Sequence, residues 1–168
     1  MRVLCLSFAL TFLDQASKHA VRLRLVPGED VVVVPGFLNL RYVQNTGAAW
    51  GLLEGANHWL VALSLAVLIF LAAFRRLIIR DGALQAFALG LMVAGIAGNL
   101  QDRIRLGYVV DFLDFYWRTH HFPAFNVADT AICTGVGLYV LAQLLGDRRP
   151  SQDAALDVTA GGAPGADA

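Results

Sequence analysis

Charge is what this 168-residue chain has least of: 13 Lys and Arg stand against 13 Asp and Glu, 15% of the residues, with a formal net charge of zero. Soluble domains carry roughly 25% charged and about 45–50% apolar residues, so an apolar share of 57% places the chain in lipid. The balance of sign leaves no basic footprint for nucleic acid and no acidic solvating tail. The two cysteines, Cys5 and Cys133, both fall in apolar runs, which excludes a disulfide framework. His19, His58, His120 and His121 are scattered without metal-ligand spacing and read as interfacial or loop residues. No His-Glu-x-x-His, Gly-x-Ser-x-Gly elbow or P-loop occurs, and Ser17 adjoins Lys18 where a Ser/Lys pair would need one helical turn.

What is present is a set of long uncharged runs. Gly55 to Phe74, Gly82 to Gln101 and Thr130 to Gly146 are free of Asp, Glu, Lys and Arg over nearly the ~20 residues that a membrane span needs. Gly135 and Gly137 lie in the last of these and suit helix packing. Met1-Arg2 followed by Val3 to Leu13 imitates a secretory signal, but no small-x-small cleavage pattern follows, so an uncleaved first span is expected. Val3 to Leu13 covers only about 16 Å of a roughly 30 Å hydrocarbon layer. Either that helix continues through Asp14 and Lys18 within the membrane, or the true start lies upstream.

The expected architecture is an all-α polytopic membrane protein with spans at 3–25, 56–79, 82–101 and 126–146. Outer loops cover 26–55 and 102–125, the catalytic domain 1–146, and a disordered cytoplasmic tail 147–168. Arg75, Arg76 and Arg80 crowd one tight connection, with Arg2, Arg148 and Arg149 at the chain ends. That density puts both termini in the cytoplasm, although Lys18, Arg22, Arg24, Arg41, Arg103, Arg105 and Arg118 are as numerous on the other side. In the first outer loop, Val31 to Val34, Pro35-Gly36 and the alternation from Phe37 to Val43 predict a small antiparallel sheet, held outside the hydrocarbon because lipid does not tolerate open sheet edges.

Ionisable groups at span ends are costly and default to function. Five clusters qualify: Asp14-Gln15-Ala16-Ser17-Lys18; Asn45-Thr46-Gly47-Ala48-Ala49-Trp50-Gly51; Gly98-Asn99-Leu100-Gln101-Asp102-Arg103; Val109-Val110-Asp111-Phe112; and Phe125-Asn126-Val127-Ala128-Asp129. Singly, each has an ordinary explanation. Asp14 and Lys18 are four apart, the spacing of a stabilising helix ion pair. Asn99 and Arg103 share a face, and Arg103 also suits an interfacial anchor. Asn126 and Asp129, after Pro123, fit a helix cap as well as they fit catalysis. Asp111, flanked by Val109, Val110 and Phe112, is a carboxylate in an apolar setting that needs a partner. Asp129 can supply one, since the chain has room between them to double back. Two adjacent carboxylates share a proton, so one activates water while the other protonates a carbonyl oxygen; which does which stays open.

In this order and spacing the five motifs closely resemble the bacterial lipoprotein signal peptidase (signal peptidase II) family, over nearly the whole chain to Leu145. The resemblance implies an aspartic endopeptidase with Asp111 and Asp129 as catalytic pair, and with Asp14, Lys18, Asn45, Gly47, Asn99, Arg103 and Asn126 lining or bracing the site. It implies no metal and no cofactor. Its substrate would be a prolipoprotein bearing diacylglyceryl on its cysteine, cut on the amino side of that cysteine at the outer face of the bacterial inner membrane. A single chain would be the working unit, the loop sheet would cradle the substrate, and a globomycin-type peptide antibiotic would block cleavage. Two rivals remain: a small transporter or proton relay, which needs polar residues continuing inward where Val61 to Phe74 and Gly82 to Gly95 offer few, and a non-enzymatic membrane scaffold.

Overall fold

A computed structural model of the chain describes residues 2–48, 52–79 and 82–146. The expected tail at 147–168, the end of the second cluster at Ala49, Trp50 and Gly51, and Arg80, Arg148 and Arg149 lie outside the described residues. The elements run α1 (Arg2–Arg24), β1 (Asp30–Val34), β2 (Leu38–Asn45), α2 (Asn57–Ala73), α3 (Arg75–Ile78), α4 (Ala83–Leu106), β3 (Val109–Trp117), β4 (His120–His121) and α5 (Val127–Gly146).

Helix α1 does continue through Asp14 and Lys18, reaching 23 residues, about 34 Å. Its polar side chains are spaced for α4. Ser7, Thr11 and Gln15 recur every four residues and donate to the carbonyls of Gly90, Ala94 and Gly98 at 2.9, 3.1 and 3.1 Å. The constant offset along both chains means that the two helices run parallel, joined by a ladder that suits a medium without competing water. Helix α4 is the centre of the helical layer, packing on α1, α2 and α5. Among the described residues, α4 and α5 are long and apolar enough to cross a membrane; α2 has 17 residues and α1 is interrupted by charge. Large apolar side chains such as Phe8, Phe12, Leu63, Ile69 and Leu144 are exposed, far beyond the patch that water tolerates.

Close approach of α4 to α5 depends on glycine. A Cβ at Gly95 would overlap the Ala128 carbonyl oxygen and stand 2.6 Å from Ile132; one at Gly135 would stand 2.8 Å from the Ala88 carbonyl oxygen. Backbone cannot yield as a side-chain tip can, so Gly95→Ala is expected to cost about 1–3 kcal/mol by overpacking. Thermal unfolding in detergent checks this, and a parent-like midpoint would refute it.

Two sequence expectations need correction. The third helix does not stop at Gln101 but runs to Leu106, where Gly107 closes it at φ +83° with its N–H on the Arg103 carbonyl. Left-handed backbone at that position favours glycine. Asp102 and Arg103 are therefore helical, and Asp102 is tolerated because it is buried against partners. Nor is the sheet confined to the first outer loop: β3 and β4, from the segment expected to be a second loop, extend it to a four-stranded antiparallel sheet in the order β1-β2-β3-β4. The run Val109–Trp117 is rich in β-branched and aromatic residues, a strand signature that its two carboxylates disguise. The register of β2 shifts between Leu40 and Val43, and a core of Val21, Tyr42, Val110 and Phe112, with Leu25 and Leu106 against it, seats the sheet on the C-terminal ends of α1 and α4.

Candidate active site

Five segments remote in sequence meet where the sheet joins the helices. Helix α5 begins there, and its free amide groups collect carboxylates. The Asp129 N–H donates to Asn126 Oδ1 at 2.9 Å while Asp129 Oδ2 accepts from the Asn126 N–H at 3.2 Å, a reciprocal capping box. The Ala128 N–H donates to Asp14 Oδ1 at 2.9 Å, so α1 also caps α5. Asp129 thus has the capping role its spacing suggested, yet capping takes only one of its oxygens. Oδ1 accepts from Asn99 Nδ2 at 2.7 Å, and the residue lines an open cleft.

Asp111 projects from β3 into the same place. Its side chain accepts from Asn126 Nδ2 at 2.7 Å and from Asn45 Nδ2 at 2.9 Å, one bond to each oxygen. Asn126 is fully buried and its amide touches both carboxylates' surroundings: Nδ2 also donates to Asn99 Oδ1 at 3.2 Å. Burial first, and then the negative Asp129 beside it, push the Asp111 carboxyl up to about 7, against the pull of the two asparagine hydrogen bonds. A carboxyl so raised keeps a proton near neutral pH, which is the condition for two carboxylates to share one.

Asn45 is held in turn. Its Oδ1 accepts from the Gly47 N–H at 3.0 Å, and the Gly47 carbonyl accepts from Arg103 Nη2 at 3.1 Å. Gly47 cannot be enlarged, because a Cβ there would stand 2.7 Å from the Leu52 carbonyl oxygen. Arg103 does not simply reach for water: its guanidinium also faces Asp129 and Asp111 closely enough to attract both. Asn45, Gly47, Asn99, Arg103, Asp111 and Asp129 together line a cleft of roughly 1250 Å³.

Beneath it lies a buried ionic cluster. Lys18, 2% exposed, distributes its three protons to Asp14 Oδ2 at 2.8 Å, Asp102 Oδ2 at 3.1 Å and Asn99 Oδ1 at 2.8 Å. The i,i+4 pair expected at Asp14 and Lys18 is one edge of this cluster. Asp102, which lies in the third motif but outside the expected site residues, also accepts from Gln15 Nε2 at 2.9 Å and from the Val110 N–H at 3.2 Å. The signal that could have found it is arithmetic: a buried lysine paired with one carboxylate still has two protons to place. All nine expected positions therefore meet in one region, Asn45, Gly47, Asn99, Arg103, Asp111 and Asp129 lining the cleft and Asp14, Lys18 and Asn126 buried behind it.

A family model described as signal peptidase (SPase) II matches residues 6–145. The lipoprotein signal peptidase of Geobacter metallireducens is 43% identical over 144 residues, covering 84% of this chain and 89% of the relative. That of Symbiobacterium thermophilum is 42% identical over 150 residues, covering 89% and 98%. A bacterial membrane enzyme solved by the in meso method at 2.3 Å superposes with a TM-score of 0.79 at 32% identity, covering 88% of this chain and 90% of that one. A second, at 1.9 Å, gives 0.74 at 32% identity, covering 85% and 92%. With a family model spanning most of the chain, relatives above 40% identity over nearly their full length and a shared fold, this chain belongs to the signal peptidase II family.

Proposed function

We propose that the chain is an intramembrane aspartic endopeptidase that releases signal peptides from diacylglyceryl-modified prolipoproteins, cutting on the amino side of the lipidated cysteine. Family membership makes it a peptidase, hence a hydrolase, engaged in lipoprotein processing. The observation that carries the finer reading is the pair Asp111 and Asp129, joined through Asn126 and Asn99 at the wall of one cleft. One carboxylate removes a proton from water as the water oxygen attacks the scissile carbonyl, and the other, protonated, donates to that carbonyl's oxygen; as the resulting diol collapses and the C–N bond breaks, the first passes its proton to the leaving nitrogen and the second takes one back from a diol hydroxyl. Asn45, Asn99 and Asn126 fix the two carboxyls in mutual geometry, and Arg103 offsets their charge.

In this reading α1, α2 with α3, α4 and α5 are four spans of a single domain, 1–146. Both termini face the cytoplasm of a bacterial inner membrane, the site lies near the outer face, the tail 147–168 is dispensable, and a single chain is active. Lipidation of the substrate serves orientation. Ile132 and Cys133 of α5 line the cleft, so an acyl chain can enter from the bilayer side and hold the peptide bond at the depth of Asp111.

The test is a gel-shift cleavage assay with purified protein in detergent, comparing a diacylglyceryl prolipoprotein with its unlipidated form. Lipidated substrate is expected to be cut at least about 100-fold more efficiently, since losing even a modest share of acyl burial amounts to about 2.7 kcal/mol. No cleavage of either form, or equal cleavage of both, sinks the assignment.

A further inference from the structure

A second polar pair lies in the same cleft and takes no part in the chemistry above. Asp114 on β3 is 2% exposed, and both its oxygens stand 2.9 Å from His121 Nδ1 on β4. Asn39 Nδ2 on β2 donates to Asp114 Oδ2 at 3.2 Å. The His121 ring stacks on Tyr116 at 5.2 Å between centroids and 12° between planes, and the Tyr116 hydroxyl accepts from the Gly36 N–H at 2.8 Å. Ring position and tilt are thus set by three strands. A carboxylate only accepts hydrogen bonds, so Nδ1 donates to Asp114, and in the tautomer with a single ring proton Nε2 presents a lone pair. Nε2 makes no hydrogen bond among the described residues, the side chain is 41% exposed, and Asp114, His121 and Arg41 all line the cleft.

A merely structural Asp–His pair would hold β4 to β3 equally well facing solvent. What distinguishes this one is its place relative to Asp111. Asp114 lies three residues farther along the same strand, about 10 Å at 3.3 Å per residue, the reach of three residues of an extended peptide. The apolar signal segment of a substrate must remain in the bilayer, so the chain passing over the sheet, outside the helices, is the part that follows the cut.

We propose that His121, oriented by Asp114, binds the third residue after the scissile bond, accepting a hydrogen bond from a neutral polar side chain there and rejecting a carboxylate. This rests on the peptidase reading. Selection follows from the charges nearest the ring: the Nε2 lone pair and the buried Asp114 behind it favour an amide or hydroxyl donor and repel an anion, while the Arg41 guanidinium in the same cleft is engaged by Asp30 at 3.2 Å.

The experiment uses two lipidated substrate peptides that differ only in Asn or Asp at that third residue, a near-isosteric pair. For the parent protein, KM for the Asp peptide is expected to be about tenfold higher than for the Asn peptide at neutral pH, with kcat alike, as one misplaced charge predicts. In His121→Phe, which keeps an aromatic ring for Tyr116, the ratio falls to within about twofold. A parent that treats both peptides alike overturns the proposal without any variant. So does a His121→Phe that folds and keeps the tenfold ratio. If the parent cleaves neither lipidated peptide, the peptidase reading itself has failed, an outcome separate from the first two.

Discussion

Asp111→Asn and Asp129→Asn are each expected to lower kcat by about four orders of magnitude, the upper range for loss of a general acid or base, because in the proposed mechanism the two carboxyls act only as a pair. The stability consequences should differ in sign from those of an ordinary buried-site mutation. The Asp111 carboxyl is raised from 3.8 to about 7 by burial and by Asp129, so between about pH 4 and 7 the folded chain holds a proton that the unfolded chain has released. Folding stability therefore declines as pH rises through that window, and the full cost, about 4 kcal/mol at most, is present above pH 7. An amide at 111 removes that cost. It also turns one donor against another, since Asn45 Nδ2 and Asn126 Nδ2 both donate to Asp111, and this mismatch returns about 1–3 kcal/mol. Asp111→Asn should thus be inactive yet no less stable than the parent at pH 8, and its advantage should vanish by pH 4. Turnover and thermal midpoints in detergent across that range check both halves. A variant that loses activity only because it unfolds would remove the support for Asp111 as a reacting group.

Much of this arrangement was legible in the sequence, and the limits have physical causes. Helical runs without charge announce themselves because lipid allows no compensation; α2, α4 and α5 fall within a few residues of the expected spans, save that α2 breaks at Phe74 before α3. Strand β3 did not, since Asp111 and Asp114 interrupt the apolar alternation by which a half-buried strand is recognised, and their burial depends on partners from other segments. The motifs at Asn45, Asn99 and Asn126 could be read as polar positions at helix or strand ends. That the three amides interlock, each facing the next carboxyl or carbonyl oxygen, is a property of three-dimensional convergence with no local signature. Asp129 shows how spacing can hold two meanings at once: one oxygen caps α5 while the other faces Asn99 and the cleft.

The largest effect on stability is expected from Lys18→Met. Met matches the aliphatic stem in size, so the change isolates the ammonium. In the parent, Asp14 and Asp102 are 1% and 3% exposed and share one cation between them. Removing it leaves two carboxylates buried together with Gln15 Nε2 and backbone N–H groups as their remaining donors, and breaking such a pair from one side typically costs about 3–5 kcal/mol. The direct links from Lys18 to Asn99 and Asp102 of α4 would be lost as well. A triple variant separates charge from shape: Lys18→Met with Asp14→Asn and Asp102→Asn has no buried charge to strand, and each Asn still offers an oxygen to the Ala128 or Val110 N–H. Its stability should return to near that of the parent. Its activity should not, because Asn99 Oδ1 has lost the shorter of its two hydrogen bonds and keeps only Asn126 Nδ2 to orient the amide whose Nδ2 reaches Asp129. Thermal unfolding in detergent and kcat on lipidated substrate would show the single variant unstable and the triple variant stable but slow. If Lys18→Met alone unfolds like the parent, the ammonium is not what allows two carboxylates to lie inside the helical layer, and α1 is held to α4 by the ladder of Ser7, Thr11 and Gln15 alone.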